Sequence, residues 1–558
     1  MTRTIADFIR DRVDDEHIAL WHGEQRWTYR QYVALCAQRA AFLLAHRSHA
    51  PFHVGILLEN VPEFPFWLGA CALAGATMVG LNITRRGADM ARDIRHTECQ
   101  FIITGQPFRE ELKVLDTDLP TDHILNVDCQ DYQARLAPFA GAPLPNVVVS
   151  PAASFSLIFT SGSSGAPKAC ICSHGRVAAL ATAVSEHYGY DRSAVSYVSM
   201  PWFHANAITM GWLPALAGGG TVVIRKFTVS GFLDDVRRYG VTHFNYVGKP
   251  LSYLLTAPER PDDGQNSLRL VHGNEGAIDD QERFAQRFSC RVVDGYGSTE
   301  GGLSIGRTTD MPRGCLGMAH QPGVQVMNPE TQCECSRARF DAKGNLLNAN
   351  EAIGELVNIH GSVGFEGYWK NAEAEQRRVR DGIYWTGDLA YRDEQGYFWF
   401  AGRDDDWMRV DGENIASAQI EQVLFRHPDV VLAGVYAVPD CAVGDRVMAA
   451  LELREGSRFC PVDFEVFLAN QPDFGTKWMP SFIRITERMP VTATAKILRR
   501  QLRQERWRAA EPIWWKPERD LQYSLMTPAD IKDYEARFAP GILQRLCCCT
   551  EEFRDATE

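Results

Sequence analysis

The chain has 558 residues, 45% of them hydrophobic and 23% charged, with a formal net charge of −12. At roughly 100–200 residues per domain, that length predicts at least two domains, and the composition excludes a generally disordered chain. The acidic balance, 58 Lys and Arg against 70 Asp and Glu, argues against nucleic acid as a partner, because such binding leans on excess positive charge.

The opening stretch MTRTIADFIRDRVDDEHIAL has no apolar signal core, so we expect a cytoplasmic protein with reduced thiols. YRQYVALCAQRAAFLLAHR reads as a helix and HVGILLE as a buried strand. The run from Trp67 to Ile83, WLGACALAGATMVGLNI, falls short of the about 20 apolar residues of a membrane helix and is interrupted by glycines. It reads as a packed helix feeding a strand, with no membrane span. CQFIITG, FSLIFTSG, GTVVIRK and THFNYVG follow as strands, and VSGFLDDVRRYG as a helix. That alternation predicts an α/β fold: a large multi-layer N-terminal domain with mixed, mostly parallel sheets. The charged run GRDDD after the aromatic strand GYFWFA marks a boundary. Beyond it, SAQIEQVLFRHP, VVLAGVYAVPD, RVMAALELRE, CPVDFEVFLANQ and FIRITERMP alternate as a small α+β domain. The expected division is 1–404, 405–510, and an extension over 511–558 draped on the body.

The 15 cysteines include Cys170–Cys172 and Cys333–Cys335 pairs, but neither has a second pair or histidines at a zinc spacing. They read as idle or buried thiols, and Cys547 to Cys549 as part of an ordinary tail.

Four stretches suit chemistry. FTSGSSGAPKA, Phe159 to Ala169, follows the buried SLIF strand directly. Its glycines let the backbone turn N–H groups onto an anion, the hydroxyls of Thr160, Ser161, Ser163 and Ser164 add donors, and Lys168 adds a charge. A flexible linker would not sit between a buried strand and Pro-Lys, so this is a phosphate cradle without the Gly-Lys-Ser/Thr ending of a Walker A loop. DGYGSTEGG, Asp294 to Gly302, carries Tyr296 to stack on a base, Thr299 to reach a phosphate and Glu300 for Mg²⁺, which favours carboxylate and phosphate oxygens together; alone it reads equally as a strand-to-helix turn. In YWTGDLAYRDEQGYFWFAGRDDD, Asp388 suits two ribose hydroxyls and Arg403 a phosphate or ribose. Lys496 lies in a Thr-rich turn before a basic helix.

Taken together and in this order, these stretches resemble the adenylate-forming enzymes: acyl-CoA synthetases, amino-acid adenylation domains and luciferases. The match spans about 500 residues, and GNEGAI, VDGENI and GTKWMPSFIRI are most similar to the long- and very-long-chain fatty acyl-CoA ligases. Ala169, Arg409, Ala495 and HGNEGA depart from the usual family residues. The resemblance implies ATP, Mg²⁺ and CoA, a fatty acid as substrate, and a small C-terminal domain that is mobile. It implies that Thr160, Ser161, Gly162, Ser163, Ser164, Gly165 and Lys168 hold the β- and γ-phosphates. Gly273, Asn274, Glu275, Asp294, Tyr296, Gly297, Ser298, Thr299, Asp388 and Arg403 would hold the rest of the nucleotide, with Mg²⁺ on Glu300. Lys496 would bridge carboxylate and α-phosphate, Asp405 would be the hinge, and Gly412 and Glu413 would face CoA. PWFHANA, Pro201 to Ala207, matches the segment bordering the acid, with His204 as a gate. No aspartate follows its aromatic to meet an α-amine, which points to an acid without one. An acyl-adenylating enzyme loading a carrier protein, or one acting on a steroid side chain or aryl acid, is the alternative. Peripheral membrane contact and a homodimer stay open.

Overall fold

The computed structural model describes the chain apart from residues 1, 48, 161–167, 309, 343–345, 362–363, 404–406, 411–412, 441–443, 472–473, 475–477, 493–496, 518–521 and 539–558. Two compact units form: Met1–Gly323 with Asn358–Trp385, and Val324–Val357 with Thr386–Glu558.

The first unit holds two sheets. One has six strands in the order Ile124–Asn126, Phe101–Thr104, His53–Leu57, Thr77–Gly80, Ser154–Thr160 and Lys168–Ser173, parallel except for the last pair. The other has nine: Met318–Ala319, Ile305–Gly306, Arg291–Tyr296, Leu270–Asn274, His243–Val247, Val195–Val198, Thr221–Ile224, Ile18–His22 and Gln25–Thr28. Its central pairings are parallel and its edges antiparallel. Strands buried on both faces read as continuous apolar runs, which is why HVGIL and TVVI are legible as strands.

The long apolar run becomes the helix Glu63–Ala74 and the strand Thr77–Gly80. Every residue from Phe64 to Ala74 is buried. The helix packs against Tyr29–His46, which starts at a Thr28–Gln31 capping box. Its one charged residue, Glu63, pairs with buried Arg39 at 2.7 Å and accepts from Tyr132. The run is therefore core. Among the described residues no helix is long and apolar enough to cross a membrane.

The second unit contains a small sheet that includes Val324–Met327, Gly354–Asn358, Ile383–Arg392 and Phe398–Arg403. Its larger sheet is built on the antiparallel hairpin Val430–Asp440 and Gly444–Leu453, with Phe482–Thr486 parallel beside it. Ile513–Trp515 pairs with Phe482–Thr486, and Ser524–Leu525 pairs with Ile513–Trp515. Trp515, Tyr534 and Phe538 enter one apolar cluster with Phe482 and Trp507. Residues 513–515 and 524–538 thus complete this unit's sheet and core, where the sequence suggests a draped extension. Aromatic side chains carry large buried areas, so a short segment stabilises much.

Two histidines of the first unit are deeply buried. His174 heads the helix His174–Tyr188 with 0% exposure, and His272 lies in the strand Leu270–Asn274 with 1%. Burial pushes His174 down to about 4 and His272 down to about 3. Both folded pKa values lie below the usual 6.5, so each neutral ring contributes stability fully above pH 6.5, and that contribution is lost as pH falls through 4 and 3. At about 1.4 kcal/mol per pKa unit, the two contributions are on the order of 3 to 5 kcal/mol each. Urea unfolding between pH 7 and pH 4.5 should show falling stability, with a shallower slope for His174→Leu. Equal slopes in the two proteins would contradict this origin.

Candidate active site

The strands Ser154–Thr160 and Lys168–Ser173 are antiparallel, and Thr160 pairs directly with Lys168. Both ends of the glycine- and serine-rich loop are thereby pinned together. Ser161, Gly162, Ser163, Ser164 and Gly165 lie outside the described residues. Lys168 is 8% exposed, and its Nζ stands 5.6 Å from the ring centre of Tyr368. A cation over an aromatic face is favourable within about 6 Å.

The second contribution comes from the C-terminal ends of two parallel strands, Leu270–Asn274 and Arg291–Tyr296, the usual place for a ligand in an open α/β sheet. Gly273 is buried, the Asn274 amide donates to the Gly295 carbonyl, and Glu275 is exposed with φ +63°. Asp294 accepts from the Tyr246 hydroxyl and, at 2.8 Å, from the Gly276 N–H. Loss of water raises its carboxyl to about 6 against those two donors. Tyr296 is half-buried, while Gly297 and Ser298 are exposed. A Cβ at Gly297 would meet nothing within 4 Å. Neither crowding by the protein nor a positive φ calls for glycine there, so bare backbone suits close approach of a ligand. Thr299 follows, half-buried, and then Glu300 at 6% exposure.

Glu300 joins the two contributions. Its Oε1 accepts from the Thr160 hydroxyl at 3.2 Å and from the Tyr368 hydroxyl at 3.0 Å. Arg378 Nε donates to the same Tyr368 oxygen at 3.3 Å. Burial and the nearby Glu300 charge raise the Tyr368 phenol, so it keeps its proton and donates.

Arg176 carries no signal in the sequence, yet it holds this region together. One guanidinium nitrogen donates to the carbonyls of Thr299 and Glu300, both at 3.2 Å. Another donates to the Ile171 carbonyl at 3.1 Å, and Nε pairs with Glu366 at 3.0 Å. Glu366 in turn accepts from the Ser173 N–H at 2.6 Å. Gly301 has φ +76°, and a Cβ there would stand 2.3 Å from the guanidinium. Only glycine allows both the turn and the approach of Arg176.

His204 is half-buried, with its N–H on the Pro201 carbonyl at 3.1 Å and its ring 4.3 Å from that of Phe203. A π-helical turn, Ala207–Trp212, follows it. The Tyr190 hydroxyl caps the Met210 carbonyl at 3.1 Å, and the Ser196 hydroxyl caps that of Gly211 at 2.9 Å. Such turns are frequent at functional sites, and sequence patterning does not show it.

The second unit carries its own candidates. Asp388 is half-buried, with its N–H on the Thr386 hydroxyl at 3.0 Å, and its backbone pairs with that of Arg403. Thr386 donates to the Leu356 carbonyl at 2.7 Å, and the Gly387 N–H donates to Glu355 at 2.6 Å. The Thr-Gly-Asp turn is thus tied from both sides. Lys496, Asp405 and Gly412 lie outside the described residues, and Arg403 and Glu413 are described in backbone only. The described flanks of Lys496 are firmly set. Val491 bridges Ile497, and Arg499 forks onto Glu421 at 2.6 and 2.7 Å.

Among the described residues no group of three His, Cys, Asp or Glu forms a metal cage. Glu300 alone still fits Mg²⁺, which is commonly held by one or two carboxylates plus phosphate oxygens. Both described hydroxyls occupy Oε1, so Oε2 is the oxygen that suits a cation.

A family described as AMP-binding enzyme matches residues 9–369, and one described as AMP-binding enzyme C-terminal domain matches residues 419–496. The Steroid-22-oyl-CoA synthetase of Rhodococcus jostii (strain RHA1) is 45% identical over 538 residues, covering 96% of this chain and 97% of that protein. The Medium/long-chain-fatty-acid–CoA ligase FadD17 of Mycobacterium tuberculosis (strain ATCC 25618 / H37Rv) is 45% identical over 506 residues, covering 90% and 96%. Among solved structures, the anthranilate CoA ligase AuaEII in complex with anthranoyl-AMP has the same fold, with a TM-score of 0.79 at 20% identity over 90% of this chain and 97% of that one.

Arg176→Met would strip three carbonyls and a carboxylate of their donor. It should cost about 3 kcal/mol of stability. Arg176→Lys restores the charge without the fork, and should recover most stability while ATP affinity stays about tenfold down. Urea unfolding and calorimetric ATP titration read the two effects. A Lys variant with unchanged ATP affinity would sink the assignment.

Proposed function

The chain belongs to the AMP-binding enzyme family, and from that membership we infer that it is an ATP-dependent fatty acyl-CoA ligase, an acid–thiol ligase that forms AMP. The single observation that carries this reading is the convergence of Thr160, Lys168 and Glu300 from two sheets around Tyr368. It supports reading the loop between Thr160 and Lys168 as an anion site beside a carboxylate suited to a cation, as phosphate chemistry requires.

The reaction runs in two steps. A carboxylate oxygen of the acid attacks the α-phosphorus of ATP. The bond from that phosphorus to the β-bridging oxygen breaks, and pyrophosphate leaves with its electron pair. The CoA sulfur, its proton lost, then attacks the acyl carbon, and AMP leaves. The difficulty of the first step is that two anions must meet, so positioning and charge neutralisation dominate. Mg²⁺, when bound, supplies charge neutralisation at the phosphates. The Thr160–Lys168 loop grips the departing β- and γ-phosphates, and Thr299 steadies the α-phosphate. Tyr296 packs on the adenine, with Gly273, Asn274, Glu275 and Asp294 along its edge. Asp388 and Arg403 hold the ribose. Lys496 bridges the carboxylate and α-phosphate during adenylation. Residues 405–510 act as the mobile part, hinged at Asp405, and bring Gly412 and Glu413 to CoA for the second step. His204 screens the acid from water.

A second reading concerns the acid. The steroid-22-oyl-CoA synthetase is as similar to this chain as the medium/long-chain ligase, which favours weighing a bulky fused-ring acid beside a linear one. ATP, Mg²⁺ and CoA are intracellular metabolites, which supports a cytoplasmic site of action.

Lys496→Ala should abolish acid-dependent pyrophosphate release but spare thioester formation from supplied acyl-adenylate. Equal loss of both half-reactions would refute this role. A panel of linear fatty acids and steroid side-chain acids, with CoA present and AMP measured, should show the highest kcat/KM for a medium- or long-chain fatty acid. Turnover confined to the steroid acids would replace the linear substrate by the bulky one. Adenylate formation without CoA-dependent AMP release would point to another acceptor.

A further inference from the structure

The two-step reaction leaves one buried side chain at the centre of the site without a role. Tyr368 is 2% exposed, and its place is fixed by backbone. Cys170 bridges Tyr368, the Ile171 N–H donates to the Gly367 carbonyl at 3.1 Å, and the Trp369 N–H donates to the Ala169 carbonyl at 2.8 Å. The segment is thus zipped onto the strand that begins at Lys168. Gly367 has φ +89°, and a Cβ there would stand 2.4 Å from the Glu375 carboxylate, which accepts from the Tyr368 N–H at 2.8 Å. A Gly-Tyr pair at this turn therefore sets where the phenol points.

The phenol has two working surfaces. Its hydroxyl donates to Glu300 Oε1 at 3.0 Å, and its ring face lies 5.6 Å from Lys168 Nζ. Arg378 Nε donates to the phenol oxygen, which leaves the phenol's single proton for Glu300. A buried hydroxyl with these neighbours has one settled direction, and that direction fixes Oε1. The face–ammonium contact and the hydroxyl–carboxylate bond belong to the same rigid ring. The separation between the phosphate-binding cation and the cation-binding anion is then set by one side chain.

We propose that Tyr368 is a positioning residue for magnesium-bound ATP: its hydroxyl holds Glu300 with Oε2 turned to the cation, its ring holds Lys168, and Arg378 orients the hydroxyl. The inference rests on the adenylation reading of the site. It predicts that Tyr368 couples metal binding to nucleotide binding. Tyr368→Phe keeps the ring and removes the hydroxyl. Tyr368→Leu removes both surfaces. Arg378→Lys leaves Tyr368 in place and loosens its orientation.

The test is calorimetric ATP binding to the full chain, with MgCl₂ and with EDTA, beside thermal unfolding by circular dichroism. In the wild type, Mg²⁺ should tighten ATP binding. In Tyr368→Phe that gain should fall about tenfold, within the usual 5–150-fold range of coupling between sites, while affinity in EDTA stays within about twofold. Tyr368→Leu should lose affinity in EDTA as well. Arg378→Lys should show the Phe pattern at smaller amplitude. A Phe variant that binds ATP with Mg²⁺ as tightly as wild type overturns the proposal, as does one that loses affinity equally in both conditions. A variant with a lowered melting temperature and an intact Mg²⁺ gain assigns Tyr368 to stability alone and overturns it too. If wild-type protein binds ATP no better with Mg²⁺ than without and releases no pyrophosphate with any acid, the adenylation reading itself falls.

Discussion

A carboxylate taken out of water costs several kcal/mol unless donors surround it, and the geometry of this site follows from meeting that condition at Glu300. The donors do not come from its own turn or the strand before it. Thr160 reaches it from the six-stranded sheet, and Tyr368 from a segment that returns much later in the chain. Arg176 holds the backbone on either side of it. Satisfying one buried acid therefore brings the glycine-rich loop, the Tyr-Gly-Ser-Thr-Glu turn and the Gly-Tyr segment into one place. Hydrogen bonds to charged groups contribute more than neutral ones, so the same contacts that make the site usable also stabilise the unit that carries it.

Much of this is legible in the order of the amino acids. Buried strands declare themselves as apolar runs, and the context of the loop after SLIF favours a cradle over a linker. Trp67 to Ile83 is separable from a membrane span by its length and its glycines. What stays hidden is whatever depends on partners distant in sequence. Arg176 looks like any arginine early in a helix until its four acceptors are in view. Tyr368 sits in a segment whose only local mark is a Gly-Tyr pair. The π-turn at Ala207–Trp212 obeys no simple period, because it depends on hydroxyls of Tyr190 and Ser196 that cap the carbonyls it displaces. The residues after 511 mislead for a related reason. Trp, Pro and charge suggest an irregular tail, but Trp515, on a strand paired with Phe482–Thr486, and Tyr534, on the helix Pro528–Glu535, are core aromatics.

The segment proposed to border the acid is built on different physics from the segments proposed to hold the nucleotide. On the proposed nucleotide side, Lys168, Glu300 and Arg176 set the geometry through charged contacts, whose demands on distance are strict. Around Pro201 to Trp212 the neighbours are mostly large apolar rings, Trp202, Phe203 and Trp212 among them. Apolar walls discriminate weakly between shapes of similar polarity. That difference fits a chain equally similar to relatives named for a linear acid and for a steroid acid.

The strands flanking the proposed phosphate loop pair as a hairpin, with Thr160 opposite Lys168 at the head of the second strand. In a strand, successive side chains alternate between faces, so a slip of one residue exchanges them all. Lengthening the loop between the paired residues would cost the fold little, because closure entropy grows slowly with length. A single residue added inside the strand just after Lys168 would instead leave the lysine in place and turn Cys170, Cys172 and the Tyr368 bridge to the wrong side. The fold's tolerance to insertion, as distinct from the site's, should therefore fall sharply at Lys168, a boundary drawn by the pleat of the sheet.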